Sequence, residues 1–392
     1  MKKDIVLILG SGHLTYRLKK LLAAQQYQVI HTAADVINSI TEYTSPLDKI
    51  TAYMKGVDIE KIAMIYLIDE SDENNLQTIL AFMSLYPAIP VTASLFNENL
   101  TPHLQVGHNN LTILNPAKIA APAFVAAIYQ QVSNNIIAEP IHKITAAKAK
   151  LRISLIQRLL IYFGIVMLAA VIFFHFYENL SWVDSLYFVV VTAATVGYGD
   201  INLLNSSPLS KIIAVLLILT STVFIWLIFS LTIDVLLKKR MQLSLGRRKY
   251  NFSNHIIVCG LGRLGYFIVE ELLQKNEKVI IIEQNENSRH IDYFKNLGAE
   301  VYIGDGRLPK VLADVNASQA RALVSVINSD SINLEIGLNA RSYQWDIKLI
   351  LRIFDEQMAE KIKEHLSIHN TLSASNISDE KFYEVLLNSS IS

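Results

Sequence analysis

Thr195-Val196-Gly197-Tyr198-Gly199-Asp200 lies in a short connection between two long apolar runs. In an extended loop whose carbonyls all turn to one side, such residues offer a ladder of oxygens that replaces the water shell of a cation. Gly197 and Gly199 can take positive φ, which lets alternate peptides flip so that neighbouring carbonyls face one axis. Val196 and Tyr198 then point away from that axis and brace the loop by packing. Thr195 adds its hydroxyl as the innermost ligand, and Asp200 sets a carboxylate at the outer mouth. Thr195, Val196, Gly197 and Tyr198 are the residues expected to hold the ion. One loop builds only one wall, so the reading requires four chains around an axis.

Both flanks read as membrane helices. Leu159 to Tyr177 runs almost without charge for about the length that crosses a bilayer. Ile212 to Ile233 forms a second run, with Lys211 snorkelling at one end. Between them, Trp182 to Thr195 reads as a short amphipathic helix whose negative C-terminal dipole favours a cation at the centre of a pore. Lys143, Lys148, Lys150 and Arg152 precede the first run. Lys238, Lys239, Arg240, Arg247, Arg248 and Lys249 follow the second, whereas the connection carries Glu178, Asp184 and Asp200. By the positive-inside rule both termini are expected in the cytoplasm, with the Asp200 end outside a cell (inner) membrane. Neither run has a series of regularly spaced arginines, so no voltage sensor is expected.

Composition agrees with a membrane protein. Hydrophobic residues make up 52% of the chain and the mean hydropathy is +0.32, both high for a soluble protein. Lys plus Arg and Asp plus Glu balance at 35 each, which gives no electrostatic argument for nucleic acid. The 392 residues suggest two or three domains. The single cysteine, Cys259, excludes an internal disulfide and a cysteine metal site, and ends an apolar strand as a small buried residue. Met1-Lys2-Lys3 before Ile5 to Leu9 superficially resembles a signal peptide. The apolar run is too short, and His13, Tyr16 and Arg17 follow, so it reads as a first strand.

The chain resembles the prokaryotic two-transmembrane-helix potassium channels that carry RCK (regulator of potassium conductance) domains of the TrkA-N type. Thr195 to Gly199 is itself the known potassium-selective sequence, so this assignment is a match to a pattern and not a derivation. The resemblance implies a potassium-selective homotetramer in membrane lipid, with K⁺ as the permeant ion and a pore domain over 153–237. Two departures from the family stand out. The second run contains no glycine hinge; Thr220-Ser221-Thr222 occupies that place, either as a hinge made by hydroxyls bonding back to carbonyls or as ordinary small-residue packing. Val191 stands in the turn before Thr195, where some relatives brace the filter with an acid.

Outside the pore, strand-like runs alternate with helical stretches, the signature of doubly wound α/β domains. The first such domain is expected over 1–138. Residues 4–9, Tyr27 to His31 and Ile62 to Ile68 read as strands, with a helix closing it through about Val132. Its glycine motif, Gly10-Ser11-Gly12-His13-Leu14-Thr15, lacks the third glycine. No acid ends the second strand, and Asp35 comes late, so a degenerate structural version of the nucleotide fold is expected. A basic linker is expected over 139–152.

After a second basic linker, 238–253, the domain 254–392 carries the stronger motif. A strand His255 to Cys259 leads into Gly260-Leu261-Gly262-Arg263-Leu264-Gly265, a helix follows to about Gln274, and the next strand, Lys278 to Ile282, ends in Glu283. Strand, glycine loop, helix and an acid about twenty residues on make the full dinucleotide fingerprint. Gly260 makes the tight turn, Gly262 admits the pyrophosphate, Gly265 lets the helix approach, and the helix N-terminus holds the phosphates. Glu283 on the ribose hydroxyls favours NAD(H) over its 2′-phosphorylated form. Arg263 either neutralises a phosphate or is a solvated loop charge. The family resemblance adds Asp305, after Val301-Tyr302-Ile303-Gly304, beside the adenine. Ala322 to Ile327 and Ile347 to Ile353 supply later strands, and 378–387 a last helix. The chain ends at Ser392 with no room for the smaller C-terminal lobe of many relatives, and no calcium-type acid cluster is evident.

These readings converge on a non-enzymatic channel: a pore flanked by two Rossmann-like domains, gated by NAD(H) or another adenine nucleotide. A membrane-anchored NAD-dependent oxidoreductase leaves the 195–200 loop without use and finds no stretch for a substrate domain. A regulatory subunit of a separate potassium transporter explains the α/β domains and not the pore.

Overall fold

The computed structural model describes residues 4–32, 45–130, 155–344, 346–366, 368 and 370–389. Linker 139–152 and Asp35 lie outside them. The chain divides into two compact units, Met1–Ile144 with Leu245–Ser392 and Thr145–Ser244.

The first half of the composite unit runs β1 (Ile5–Leu9), α1 (His13–Ala24), β2 (Gln28–Thr32), α2 (Pro46–Met54), β3 (Ile62–Leu67), α3 (Asp72–Leu85), β4 (Val91–Ser94), α4 (Thr101–Gln105), β5 (Leu111–Leu114) and α5 (Pro116–Tyr129). Every residue of β1 and β3 is buried, as continuous apolar runs covered on both faces must be. All pairings are parallel, and the order is β2-β1-β3-β4-β5.

The membrane-type unit contains α6 (Leu155–Tyr177), α7 (Trp182–Ala193) and α8 (Pro208–Ser244). At about 1.5 Å per residue, the 23 residues of α6 reach ~35 Å and the 37 of α8 ~55 Å, both more than the ~30 Å of a bilayer core. Both helices are apolar enough to cross a membrane. The helix α8 extends past Ile233 to Ser244, so 238–244 of the expected linker is helical instead. Lys238, Lys239, Arg240 and Met241 are good helix formers, and Lys238 pairs with Asp234 one turn earlier at 2.7 Å. Phe174, Val189 and Leu217 join the three helices in one small core.

The second half of the composite unit continues with β6 (Ile256–Cys259), α9 (Arg263–Gln274), β7 (Val279–Glu283), α10 (Ile291–Asn296), β8 (Glu300–Ile303), α11 (Pro309–Asp314), β9 (Ala322–Ser325), α12 (Asp330–Tyr343), β10 (Lys348–Arg352), α13 (Glu356–Leu366), β11 (Asn370–Leu372) and α14 (Ala374–Ser389). The parallel order β11-β10-β9-β6-β7-β8 is the doubly wound dinucleotide-binding topology. The two halves are not strict copies: among the described residues the first sheet has no strand beyond β2 to match β8. The last helix begins at Ala374 and ends at Ser389, longer at both ends than 378–387, with Ser378 turned onto the Ala374 carbonyl at 2.7 Å.

The halves exchange their final helices. From α5, Phe124, Val125 and Ile128 pack among Ile256, Val258, Phe267 and Ile268 of the second half. From α14, Phe382 and Leu386 pack among Val6, Ile8, Leu18 and Tyr66 of the first. The Tyr66 hydroxyl donates to the Phe382 carbonyl at 2.9 Å, and Ser378 Oγ donates to the Pro116 carbonyl at 2.9 Å. Each sheet is therefore roofed by a helix made elsewhere in the chain. The two α/β halves thus pack as one interlocked body.

Candidate functional site

The 195–200 loop hangs from a well-capped helix. Ser181 Oγ accepts from the Asp184 N–H at 3.1 Å and donates to the Asp184 carboxylate at 2.7 Å, which fixes the start of α7. At its far end the Val191 carbonyl accepts from the Val196 N–H at 3.0 Å, so the chain turns sharply out of the helix. Thr195, Gly197 and Gly199 take φ of +59°, +57° and +83°, whereas Val196 and Tyr198 do not, giving the alternation that a carbonyl ladder needs. The Tyr187 hydroxyl donates to the Asp200 carboxylate at 2.7 Å and ties the end of the loop back to α7. Val196 and Tyr198 find no bracing within one chain, being 51% and 73% exposed. In α8, Ser221 and Thr222 both donate to the Ile218 carbonyl, at 3.1 and 2.7 Å, the back-bonding that loosens a helix; Thr220 does not share it.

The second-half loop builds the other site. Gly260 has φ +97°, where a side chain is strained. A Cβ at Gly265 would stand 2.0 Å from the Gly260 carbonyl oxygen, so only glycine lets α9 come this close. A Cβ at Gly262 would meet nothing within 4 Å, leaving room before the helix N-terminus. Gly262, at the start of α9, has no side chain to cap the helix, so its first N–H groups can meet phosphate oxygens. Leu261 and Leu264 turn their side chains into the core. The Glu283 carboxylate accepts from the Leu261 N–H at 2.7 Å and the Asn285 N–H at 2.8 Å, which holds it beside the loop. Asp305 is gripped by Arg307 at 2.7 Å, and that hydrogen-bonded ion pair holds its carboxyl below the usual carboxylate range.

These residues line a cavity of about 620 Å³ whose opposite wall comes from the first half: Ser11, His13, Asp69, Glu70 and Asn115. Arg263 is exposed and paired. Its guanidinium pairs with Asp72 at 3.1 Å and lies 5.9 Å from the Phe96 ring centroid. His13, with its ring 3.7 Å from that of Phe354, has a pKa lowered by burial and then by Arg352. Asp72 and Phe96 are not legible in the sequence, because nothing local to them announces Arg263, 191 and 167 residues further on.

Residues 161–238 match the Ion channel family model, and 256–374 match the TrkA-N domain model. The chain resembles the prokaryotic potassium channels with RCK domains. Probable potassium channel protein 2 of Methanocaldococcus jannaschii is 26% identical over 192 residues, 47% of this chain and 55% of its own length. The Voltage-gated potassium channel Kch of Escherichia coli is 26% identical over 187 residues, 47% of this chain and 44% of its own. The chain thus spans about half the length of the curated relatives it matches. In fold it is similar to the crystal structure of GsuK bound to ADP, with a TM-score of 0.54 and 14% identity, covering 99% of this chain and 70% of that one. Within the channel-like chain, the α6–α8 unit falls almost wholly in the first match and the glycine cleft in the second. The first half of the composite unit lies outside both family models.

Proposed function

We propose that the chain is a potassium-selective channel of the cell (inner) membrane, four copies around a pore, opened or closed by an adenine nucleotide in the second-half cleft. The observation that carries this is the alternating positive φ at Thr195, Gly197 and Gly199 in a loop slung between two membrane-length helices. Val196 and Tyr198, exposed in one chain, gain the bracing they lack when neighbouring copies surround them. The proposed domains are 1–138, the pore 153–237 and 254–392, with both termini cytoplasmic. RCK-type α/β domains then flank the pore in sequence, and transport rather than catalysis is the role.

Nucleotide binding has a physical route to the pore helix through the chain itself. Leu245 and Arg247, directly after α8, run along the edge strand β8: the Ile303 N–H donates to the Leu245 carbonyl and Arg247 Nε to the Ile303 carbonyl, each at 2.8 Å. A Cβ at Gly246 would lie 1.8 Å from the Val301 carbonyl oxygen, so the segment is pressed onto the strand. Two residues beyond Ile303 stands Asp305. A nucleotide that prefers one shape of the cleft therefore biases the start of the same segment that ends the pore helix, in proportion to its differential affinity for the two shapes.

The test is flux of K⁺ and Na⁺ from liposomes holding the purified protein, with and without ADP or NADH. Potassium-selective flux that changes with nucleotide is expected. Flux that fails to discriminate K⁺ from Na⁺ would sink the pore assignment, and selective flux indifferent to every adenine nucleotide would remove the gating assignment alone.

A further inference from the structure

We propose that Glu70, together with Thr15, closes the first half of the composite body to phosphates, so that each chain holds one nucleotide, on its second half. This rests on the nucleotide reading above. Sheet register aligns the two halves. Leu9 pairs with Leu67, and Cys259 with Ser325. Counting on from these pairs, Gly12 corresponds to Gly262, Thr15 to Gly265 and Glu70 to Asn328.

The corresponding positions differ in what fills them. Where a Cβ at Gly262 would find open space, a Cβ at Gly12 would lie 2.6 Å from Glu70 Oε1. Gly12 is the residue before α1, a helix of 12 residues, so an acid of the chain's own stands at the end whose dipole would attract a phosphate. The loop also takes another path, with φ +109° at Gly12 against −77° at Gly262. Thr15 is 3% exposed, and its hydroxyl donates to the Ile68 carbonyl at 3.1 Å, so a buried side chain stands where Gly265 has none. On the other side of the loop, a His31 ring nitrogen lies 3.0 Å from the Gly10 carbonyl oxygen. Because Glu70 is exposed on a loop, it contributes little packing; its negative charge, which offsets that of Arg352 in the same cavity, stands where a phosphate arriving at Gly12 would come.

Calorimetric titration of the full chain in detergent with ADP tests the assignment. One ADP per chain is expected, rising to two in the Thr15→Gly/Glu70→Asn double variant. Two per chain in the unaltered protein, or one in the double variant, overturns the proposal. No binding to the unaltered protein instead refutes the nucleotide reading on which it rests. Should the double variant fail to fold, Glu70→Gln alone removes the charge from an exposed side chain. A second event at least tenfold weaker than the first is then expected, and a single event overturns the role of Glu70.

Discussion

Phe382 lies on the last helix, and its side chain is fully buried against the first sheet, among Val6, Ile8 and Tyr66. Truncating it with Phe382→Ala removes a ring from a core that can close only partly around the gap. Such substitutions cost about 3–5 kcal/mol. At about 1.4 kcal/mol per factor of ten, the local opening equilibrium rises by roughly 10²- to 10³-fold or more. The hydrogen bond from the Tyr66 hydroxyl goes to the Phe382 backbone, so the substitution leaves that donor its partner. Hydrogen exchange followed by mass spectrometry reads the effect where it is least expected from sequence, in the amides of Ile5–Leu9 and Ile62–Leu67. Leu387, five residues further along the same helix and 41% exposed, is the control, and Leu387→Ala should shift stability by less than about 0.5 kcal/mol. Faster exchange confined to α14 and the β10–β11 edge, with β1 and β3 unchanged, would refute the exchange of helices.

Three further outcomes follow from the sites. Gly265→Val pushes α9 off the Gly260 turn and should weaken ADP binding at least tenfold in calorimetry while selectivity in the flux assay is kept; unchanged affinity would contradict the close approach. Tyr187→Phe deletes the hydrogen bond to Asp200, and K⁺ over Na⁺ selectivity should fall severalfold in liposome flux if that tie holds the loop; equal selectivity would show the tie to be dispensable. His255 is fully buried, and burial lowers its pKa despite the Val315 carbonyl 2.9 Å from Nε2. The unfolded chain therefore takes up this proton first on acidification. Stability should be level above the ordinary histidine range near pH 6.5 and should fall as pH drops below it, by up to about 1.4 kcal/mol per pH unit per group. His13 and His290, also lowered by burial, add in the same direction, so His255→Asn should make the slope shallower without abolishing it in thermal unfolding scans.

The parts of this molecule that announce themselves in sequence are those whose chemistry is local. Gly260, Gly262, Gly265 and Glu283 lie within one strand–helix–strand unit, so their spacing singles them out, whereas Thr195 to Asp200 lie within one loop and are singled out by their match to a known sequence. Runs such as Ile5 to Leu9 declare buried parallel strands because both of their faces are apolar. Charge does not mark the end of α8: Lys238 to Arg240 follow the apolar run and remain helical. Long-range partners carry no such mark. Nothing around Asp72 indicates that it meets Arg263, and Phe382 reads as the apolar stripe of any amphipathic helix, with no indication of whose core it enters. The cavity is shared between halves for the same reason: its two walls are each locally legible, but their meeting is a property of the interlocked fold.

The interlocking also sets a timetable. The first sheet leaves the ribosome early, yet the Tyr66 hydroxyl bonds a carbonyl 316 residues further on. At synthesis rates of roughly 5–20 residues per second, that partner emerges some 15–60 s later, after both membrane-length helices have been made. Throughout this interval Val6, Ile8 and Tyr66 have Leu18 and Leu22 of α1 beside them but lack Phe382 and Leu386. Until the last helix is made, that part of the apolar face stays uncovered. The first half of the protein is thus begun first and finished last, so any stall after the pore segment leaves an inserted hairpin attached to an unsealed sheet.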